Sequence, residues 1–81
     1  MSFVASVNVM LKEGIADPQG STIQRALPAL GFAGVGDVRV GKHIVLKVDA
    51  STPDEARERV EQMCRQLLSN PVIESFEVVV E

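Results

Sequence analysis

The spacing of apolar residues alternates along this chain between period two and period 3.6, and that alternation fixes the class of fold. From about Phe3 to Lys12, the set Phe3, Ala5, Val7, Val9 and Leu11 alternates with the more polar set Val4, Ser6, Asn8, Met10 and Lys12. Period two with β-branched residues marks a half-buried strand. Asp17 then reads as an N-cap and Pro18 as the first helical residue, where its missing N–H is no loss. Ile23, Ala26, Leu27 and Leu30 follow at the spacing of one helix face. Gly31 stands where a left-handed C-terminal cap belongs, with Phe32 able to fold back onto the last turn. Pro28 removes the bond to the Gln24 carbonyl and is expected to kink or loosen that turn.

The middle segment, Val38 to Val48, keeps Val38, Val40, Ile44, Leu46 and Val48 in one phase across Gly41. A long strand bent at Gly41 and a hairpin with Gly41-Lys42-His43 as its loop both preserve that phase. The bent strand is the preferred reading; the hairpin would give the full ferredoxin-like order. Thr52-Pro53-Asp54-Glu55 is a capping box with Pro at the first helical position. Ala56, Val60, Met63, Cys64, Leu67 and Leu68 form the apolar stripe of the helix it starts. Glu55–Arg59 and Glu61–Arg65 stand four apart in the favourable order for ion pairs. Asn70-Pro71 stops the helix, and a last strand runs from about Ser75 to Val80.

The order is βαβαβ, an α+β two-layer sandwich related to the ferredoxin-like folds. One apolar stripe per helix puts both helices on the same face of one sheet. The other face carries Val4, Met10, Val45 and Val79 and is a plausible interface with another copy or a partner.

Composition narrows what such a fold can do. The 81 residues make one domain, residues 1–81. A domain this short buries only roughly 60–65% of its unfolded surface, so it needs help from disulfides, metals or oligomerisation. Cys64 is the only cysteine and His43 the only histidine, which excludes a disulfide and a four-ligand zinc site. Oligomerisation remains, and 46% apolar content supplies material for it. Eight Lys and Arg are interspersed with eleven Asp and Glu, for a net charge of −3, and Trp and Tyr are absent. No basic stripe with stacking aromatics exists, so nucleic acid is not an expected partner. The start lacks the basic region of a signal peptide and no apolar run reaches membrane-spanning length, so a cytoplasmic protein without membrane contact is expected.

The residues that could carry chemistry are few. Gly31 to Gly36 holds three glycines, but it follows a helix and matches neither phosphate-binding pattern, so it reads as a cap and a turn. His43 lacks a nearby orienting carboxylate. Cys64 lies in an apolar stripe, the setting of an inert thiol. Asp54, Glu55, Glu58 and Glu61 read as a solvated helix face. Arg39, Gly41 and Lys42 place two cations around a glycine and could meet a phosphate or a partner carboxylate, or form an ordinary exposed strand end. Lys12, Gly14, Asp17, Gln19 and Gly20 are the other polar concentration. A capped strand-to-helix connection accounts for Asp17 and Pro18 but not for Gly20. Glycine near a helix start costs roughly 0.8–1 kcal/mol against alanine, which implies that something approaches closely there.

Those residues carry a resemblance. Leu11-Lys12-x-Gly14-x-x-Asp17-Pro18-Gln19-Gly20, Leu30-Gly31-Phe32, Val38-Arg39-Val40-Gly41-Lys42 and Leu67-Leu68-Ser69-Asn70-Pro71-Val72-Ile73-Glu74 occur in that order. Together they resemble the PurS family, the small subunits of bacterial and archaeal phosphoribosylformylglycinamidine synthase. The resemblance implies a mainly three-stranded antiparallel sheet with two helices on one face. It implies a subunit without catalytic residues that joins a glutaminase, PurQ, to a synthetase, PurL, in de novo purine synthesis. It implies support for ammonia transfer between them, a homodimer or higher homo-oligomer, and no cofactor in this chain, ATP and Mg²⁺ being used by the synthetase. The matching positions Lys12, Asp17, Gln19, Gly20, Arg39, Gly41, Lys42, Asn70 and Pro71 are the candidate partner contacts, with Asp17, Asn70 and Pro71 equally readable as structural caps.

Two other classes fit the same fold. An ACT-like dimeric domain would bind a small ligand at the Gly14–Gly20 loop. An acylphosphatase-like enzyme would need an arginine-bearing phosphate loop near the first strand, and no arginine precedes Arg25.

Overall fold

The structure, a computed structural model, describes residues 1–81. Its elements are β1 (Ser2–Leu11), α1 (Pro18–Ala29), β2 (Gly41–Asp49), α2 (Pro53–Met63) and β3 (Glu74–Val80), with a π-helical turn at Cys64–Leu68 continuing α2. The strands form one sheet in the order β2-β1-β3. Both pairings are antiparallel, with Val7 opposite Ile44 on one side and Val78 on the other. Because β2 and β3 both run against β1, both begin at the end where β1 stops.

The alternation in β1 does what its period requires. Ala5, Val7 and Val9 are buried on the inner face, joined by Val48, Ala50 and Val78. Ala56 and Val60 from α2 and Cys64 from the turn that continues it bury completely against them. These are small side chains, so helix and sheet approach closely. Thr52 caps α2 through its hydroxyl, which accepts from the Glu55 amide at 3.1 Å. The expected Glu55–Arg59 and Glu61–Arg65 ion pairs do not form. Arg57 donates instead to the Val78 carbonyl at 2.6 Å, and Arg59 donates to the Asp49 carbonyl. Both arginines thereby tie the helix to strand ends.

The stripe predicted for α2 breaks at its end, for a geometric reason. In the π turn the Ser69 amide donates to the Cys64 carbonyl at 2.9 Å, spanning five residues rather than four, and the Ser69 hydroxyl donates to the same oxygen. The extra residue rotates the following side chains by about one position. Leu68 therefore packs against the core while Leu67 stays 83% exposed.

Helix α1 ends as its sequence indicates. Gly31 adopts φ +96°, its amide donates to the Pro28 carbonyl and the Phe32 amide to the Leu27 carbonyl, the bond pair of a Schellman cap. The helix runs through Pro28 to Ala29 and then closes.

Two expectations change. Neither reading of the middle segment holds: β2 starts at Gly41, and residues 38–40 lie outside the sheet. Gly41 is neither bend nor turn. It is the first paired residue of β2, opposite Met10, and a side chain there would collide with the Met10 sulfur and the Val9 carbonyl. The second change concerns α1. The sheet and the two helices are those expected, but only α2 packs on the sheet within this chain. About 33 Å of β1 and about 18 Å of α1 together match the 51 Å long axis, with the helix projecting beyond the sheet.

Candidate functional site

The nine candidate positions are scattered over sixty residues of sequence, and the antiparallel topology gathers them at one end of the sheet. There β1 stops, β2 and β3 begin, and α1 starts. An open cleft of about 310 Å³ lies there, lined by Leu11, Asp17, Pro18, Gln19, Val40, Gly41, Lys42 and Glu74.

Asp17 organises the cleft. Its Oδ1 accepts from the Gly20 amide at 2.9 Å, which is the N-cap expected of it, and its Oδ2 accepts from the Val40 amide at 2.8 Å. One carboxylate thus caps α1 and anchors the segment leading into β2. These two amide bonds, Gly20 first and Val40 second, hold its carboxyl below the ordinary carboxylate range. Partial burial works against them, and the Arg39 guanidinium, 3.9 Å away, adds to them. Gly20 is buried because the Val38 carbonyl and the Asp17 carboxylate press against its α-carbon. The close approach implied by the sequence is therefore met within the chain.

The cations divide into committed and available groups. Arg39 Nη2 donates to the Leu11 carbonyl at 2.7 Å and to the Lys12 carbonyl at 3.3 Å, closing the end of β1. Lys12 Nζ donates to the Pro71 carbonyl at 2.9 Å. Lys42 is held more loosely, with Glu74 Oε2 at 3.9 Å and the Leu68 carbonyl at 3.5 Å, and its side chain is 56% exposed. Gln19 is exposed on the rim. Asn70 and Pro71 form the turn beneath: Asn70 Oδ1 accepts from the Val72 amide at 3.1 Å, and the Asn70 carbonyl accepts from Ile73 and Glu74. Glu74 is the site residue that the candidate set lacked. Its Oε1 accepts from the Asn70 amide at 2.7 Å while its other oxygen faces Lys42. Part of its signal was present, since it ends the Leu67–Glu74 block; its register opposite Leu11 appears only in the fold.

The side chains left free in this cleft are suited to polar contact. Lys42 offers a charge to a carboxylate and Gln19 an amide to a polar backbone. The lining holds no histidine, cysteine or serine. His43 lies on the outer sheet face, where its Nδ1 is 2.7 Å from Asn8 Oδ1. Cys64 is buried in the core, and burial, reinforced by Glu61, pushes its thiol upward and away from reactivity. No cluster of three or more His, Cys, Asp or Glu side chains is placed to hold a metal ion. No helix is long and apolar enough to cross a membrane.

Comparison with known proteins gives one answer over the whole chain. The sequence profile of PurS, phosphoribosylformylglycinamidine (FGAM) synthase, matches residues 4–81. The phosphoribosylformylglycinamidine synthase subunit PurS of Methanocaldococcus jannaschii is 43% identical over 79 residues, covering 98% of this chain and 95% of the relative. The PurS subunit of Bacillus subtilis is 42% identical, covering 98% and 93%. Among solved structures, the M. jannaschii PurS crystal structure superposes with a TM-score of 0.87 at 98% and 95% coverage. A chain in the structure of PurLQS from Thermotoga maritima superposes at 0.90, with 36% identity and coverage of 100% and 99%.

Proposed function

The chain belongs to the PurS family of phosphoribosylformylglycinamidine synthase subunits, and from that membership we propose how its cleft serves the enzyme. It is a non-catalytic subunit of this ligase complex, acts in purine biosynthesis and associates with PurL and PurQ. The observation that carries this is the end-to-end likeness to a chain of the PurLQS assembly. A coarse fold likeness would leave the partners open; agreement over both full lengths does not.

The cleft at the strand ends is the surface through which it joins its partners. Lys42 and Gln19 are the side chains free to engage them. Asp17, Gly20, Arg39, Lys12, Asn70 and Pro71 act one step behind, by fixing the backbone on which those two stand. Gly41 keeps β2 close enough to β1 for Lys42 to face the cleft. In this reading the chain supports ammonia transfer from the glutaminase to the synthetase by holding the two in register, ATP and Mg²⁺ are used by the synthetase, and the assembly is cytoplasmic.

Reconstitution tests it. Glutamine-dependent formation of the amidine by PurL and PurQ should collapse when this chain is left out, while ammonium-dependent formation by PurL persists. Lys42→Glu should weaken assembly without unfolding the chain, since the lysine is exposed and loosely paired. Glutamine-dependent turnover that proceeds equally well without the chain would overturn the reading.

A further inference from the structure

We propose that Leu67 and Val72, which flank the Asn70-Pro71 turn, form an apolar knob that inserts into an apolar pocket rimmed by carboxylates on a partner subunit. The knob rests on the reading of this end of the chain as the joining surface and deepens it.

The terminal Met1 aside, these are the most exposed large apolar side chains of the molecule, Leu67 at 83% and Val72 at 78%. Single apolar residues scattered over a surface call for no explanation. These two stand five residues apart on one reversing segment, and the backbone on each side is fixed in the form that exposes them. At Leu67, the amide and the hydroxyl of Ser69 both donate to the Cys64 carbonyl, each at 2.9 Å. That double tie locks the π turn, a device that recurs at functional sites. The turn faces Leu67 outward while Leu68 stays with the core. At Val72, the amide donates to Asn70 Oδ1 at 3.1 Å, an Asx turn. Lys12 Nζ holds the adjacent Pro71 carbonyl at 2.9 Å. A knob fixed before contact loses little freedom on docking.

The knob is continuous with the cleft. Lys42 and Glu74 line the cleft, and both also reach the backbone of the knob. Lys42 Nζ lies 3.5 Å from the Leu68 carbonyl, and Glu74 Oε1 accepts from the Asn70 amide at 2.7 Å. The surrounding charge is positive in balance. Lys12, Lys42 and Arg65 are exposed, and Arg65 forms no ion pair. Against these three stand two carboxylates: exposed Glu13, and Glu74, already committed to Asn70 and Lys42. An excess of cations is notable in a chain of net charge −3. An apolar centre within a polar rim is the anatomy of a protein interface, and a cationic rim calls for carboxylates opposite. A second copy meeting this corner with its own would set like charges against each other, so the occupant is a different chain.

The test uses the full chain reconstituted with PurL and PurQ. The native chain should restore glutamine-dependent turnover; failure there overturns the joining reading and the knob with it. Leu67→Asp and Val72→Asp should each raise the chain concentration needed for half-maximal turnover by at least about tenfold. Leu67→Met should behave as the native chain does. Arg65→Glu should weaken assembly several-fold, and Arg65→Lys should not. Circular dichroism and Tm should stay native, because both knob residues already face solvent. Should an aspartate variant lose stability, Leu67→Gln, which keeps the size and loses only the apolar surface, gives the same reading. Full turnover at native concentrations of both aspartate variants overturns the knob while leaving the joining reading intact. Native behaviour of Arg65→Glu overturns the carboxylate rim. Light scattering should give every variant the self-association of the native chain; a loss of it assigns the patch to a second copy and overturns the proposal.

Discussion

Replacing Gly20 by alanine separates two physical accounts that predict opposite signs. Gly20 is the third residue of α1, and helix propensity alone would make Gly20→Ala stabilising by about 0.8–1 kcal/mol. The structure puts a backbone oxygen in the way. A methyl group there would run into the Val38 carbonyl and stand 2.9 Å from Asp17 Oδ2. Neither neighbour can swing aside cheaply: Val38 is backbone, and Asp17 is held by the Gly20 and Val40 amides. Overpacking of this kind costs about 1–3 kcal/mol, and displacing the Asp17 cap costs about 1 kcal/mol more. Set against the propensity gain, the net is a loss of about 1–3 kcal/mol. For a domain of this size that lowers Tm by roughly 4–8 °C per kcal/mol. Thermal unfolding should be compared at one fixed chain concentration, because association would shift the midpoint. Gly36→Ala is the control: nothing lies within 4 Å of its added carbon and its φ is ordinary, so it should be neutral or stabilising by up to about 1 kcal/mol. A Gly20→Ala chain as stable as the native one would refute the close-approach argument.

Asp17→Asn tests the anchor through pH. The folded carboxyl lies below its ordinary value of 3.8, so the carboxylate contributes stability above that value and loses it as pH falls through the lowered one. Urea midpoints followed downward into this acid range should fall for the native chain and flatten for the variant. Val60→Ala removes two methyl groups from a fully buried position and should cost about 2–3 kcal/mol in urea unfolding. Leu67→Gln should change stability by less than about 0.5 kcal/mol, whereas Leu68→Ala, one residue on and facing the core, should cost about 2 kcal/mol or more. Cys64 should resist a thiol reagent in the native chain and react fully in denaturant, since burial raises its thiol and hides it.

What the sequence made legible was local, and each success rests on a local cause. The strand at residues 3–12, the caps at Asp17, Gly31 and Thr52, and the stop at Asn70 are written in period and in capping chemistry, which act over a few residues. The failures sit where a longer range decides. The phase of Val38, Val40 and Ile44 continues across Gly41, yet the first two residues are taken by the root of α1, because the Asp17 carboxylate captures the Val40 amide before β2 begins. Leu67 and Leu68 both belong to the α2 stripe, and a single five-residue hydrogen bond at Ser69 sends one outward. The candidate site fared better than distance along the chain would suggest. Blocks separated by tens of residues fall together because β2 and β3 both start where β1 ends, so strand boundaries and pairing direction alone bring Lys12, Lys42 and Asn70 to one corner. Glu74 was missed as a contact because its role depends on register opposite Leu11, which no periodicity reveals.

The placement of α1 shows the limit most clearly. A stripe at period 3.6 states that a face must be covered; it does not state by which chain. Counting stripes against sheet faces gave two helices for one inner face, and that count is sound for the surface involved. In the single chain one helix covers the face and only 11 of 81 residues are buried, a thin core even for a domain of this length. The same shortage was visible in the composition, where neither a disulfide nor a metal set could be assembled.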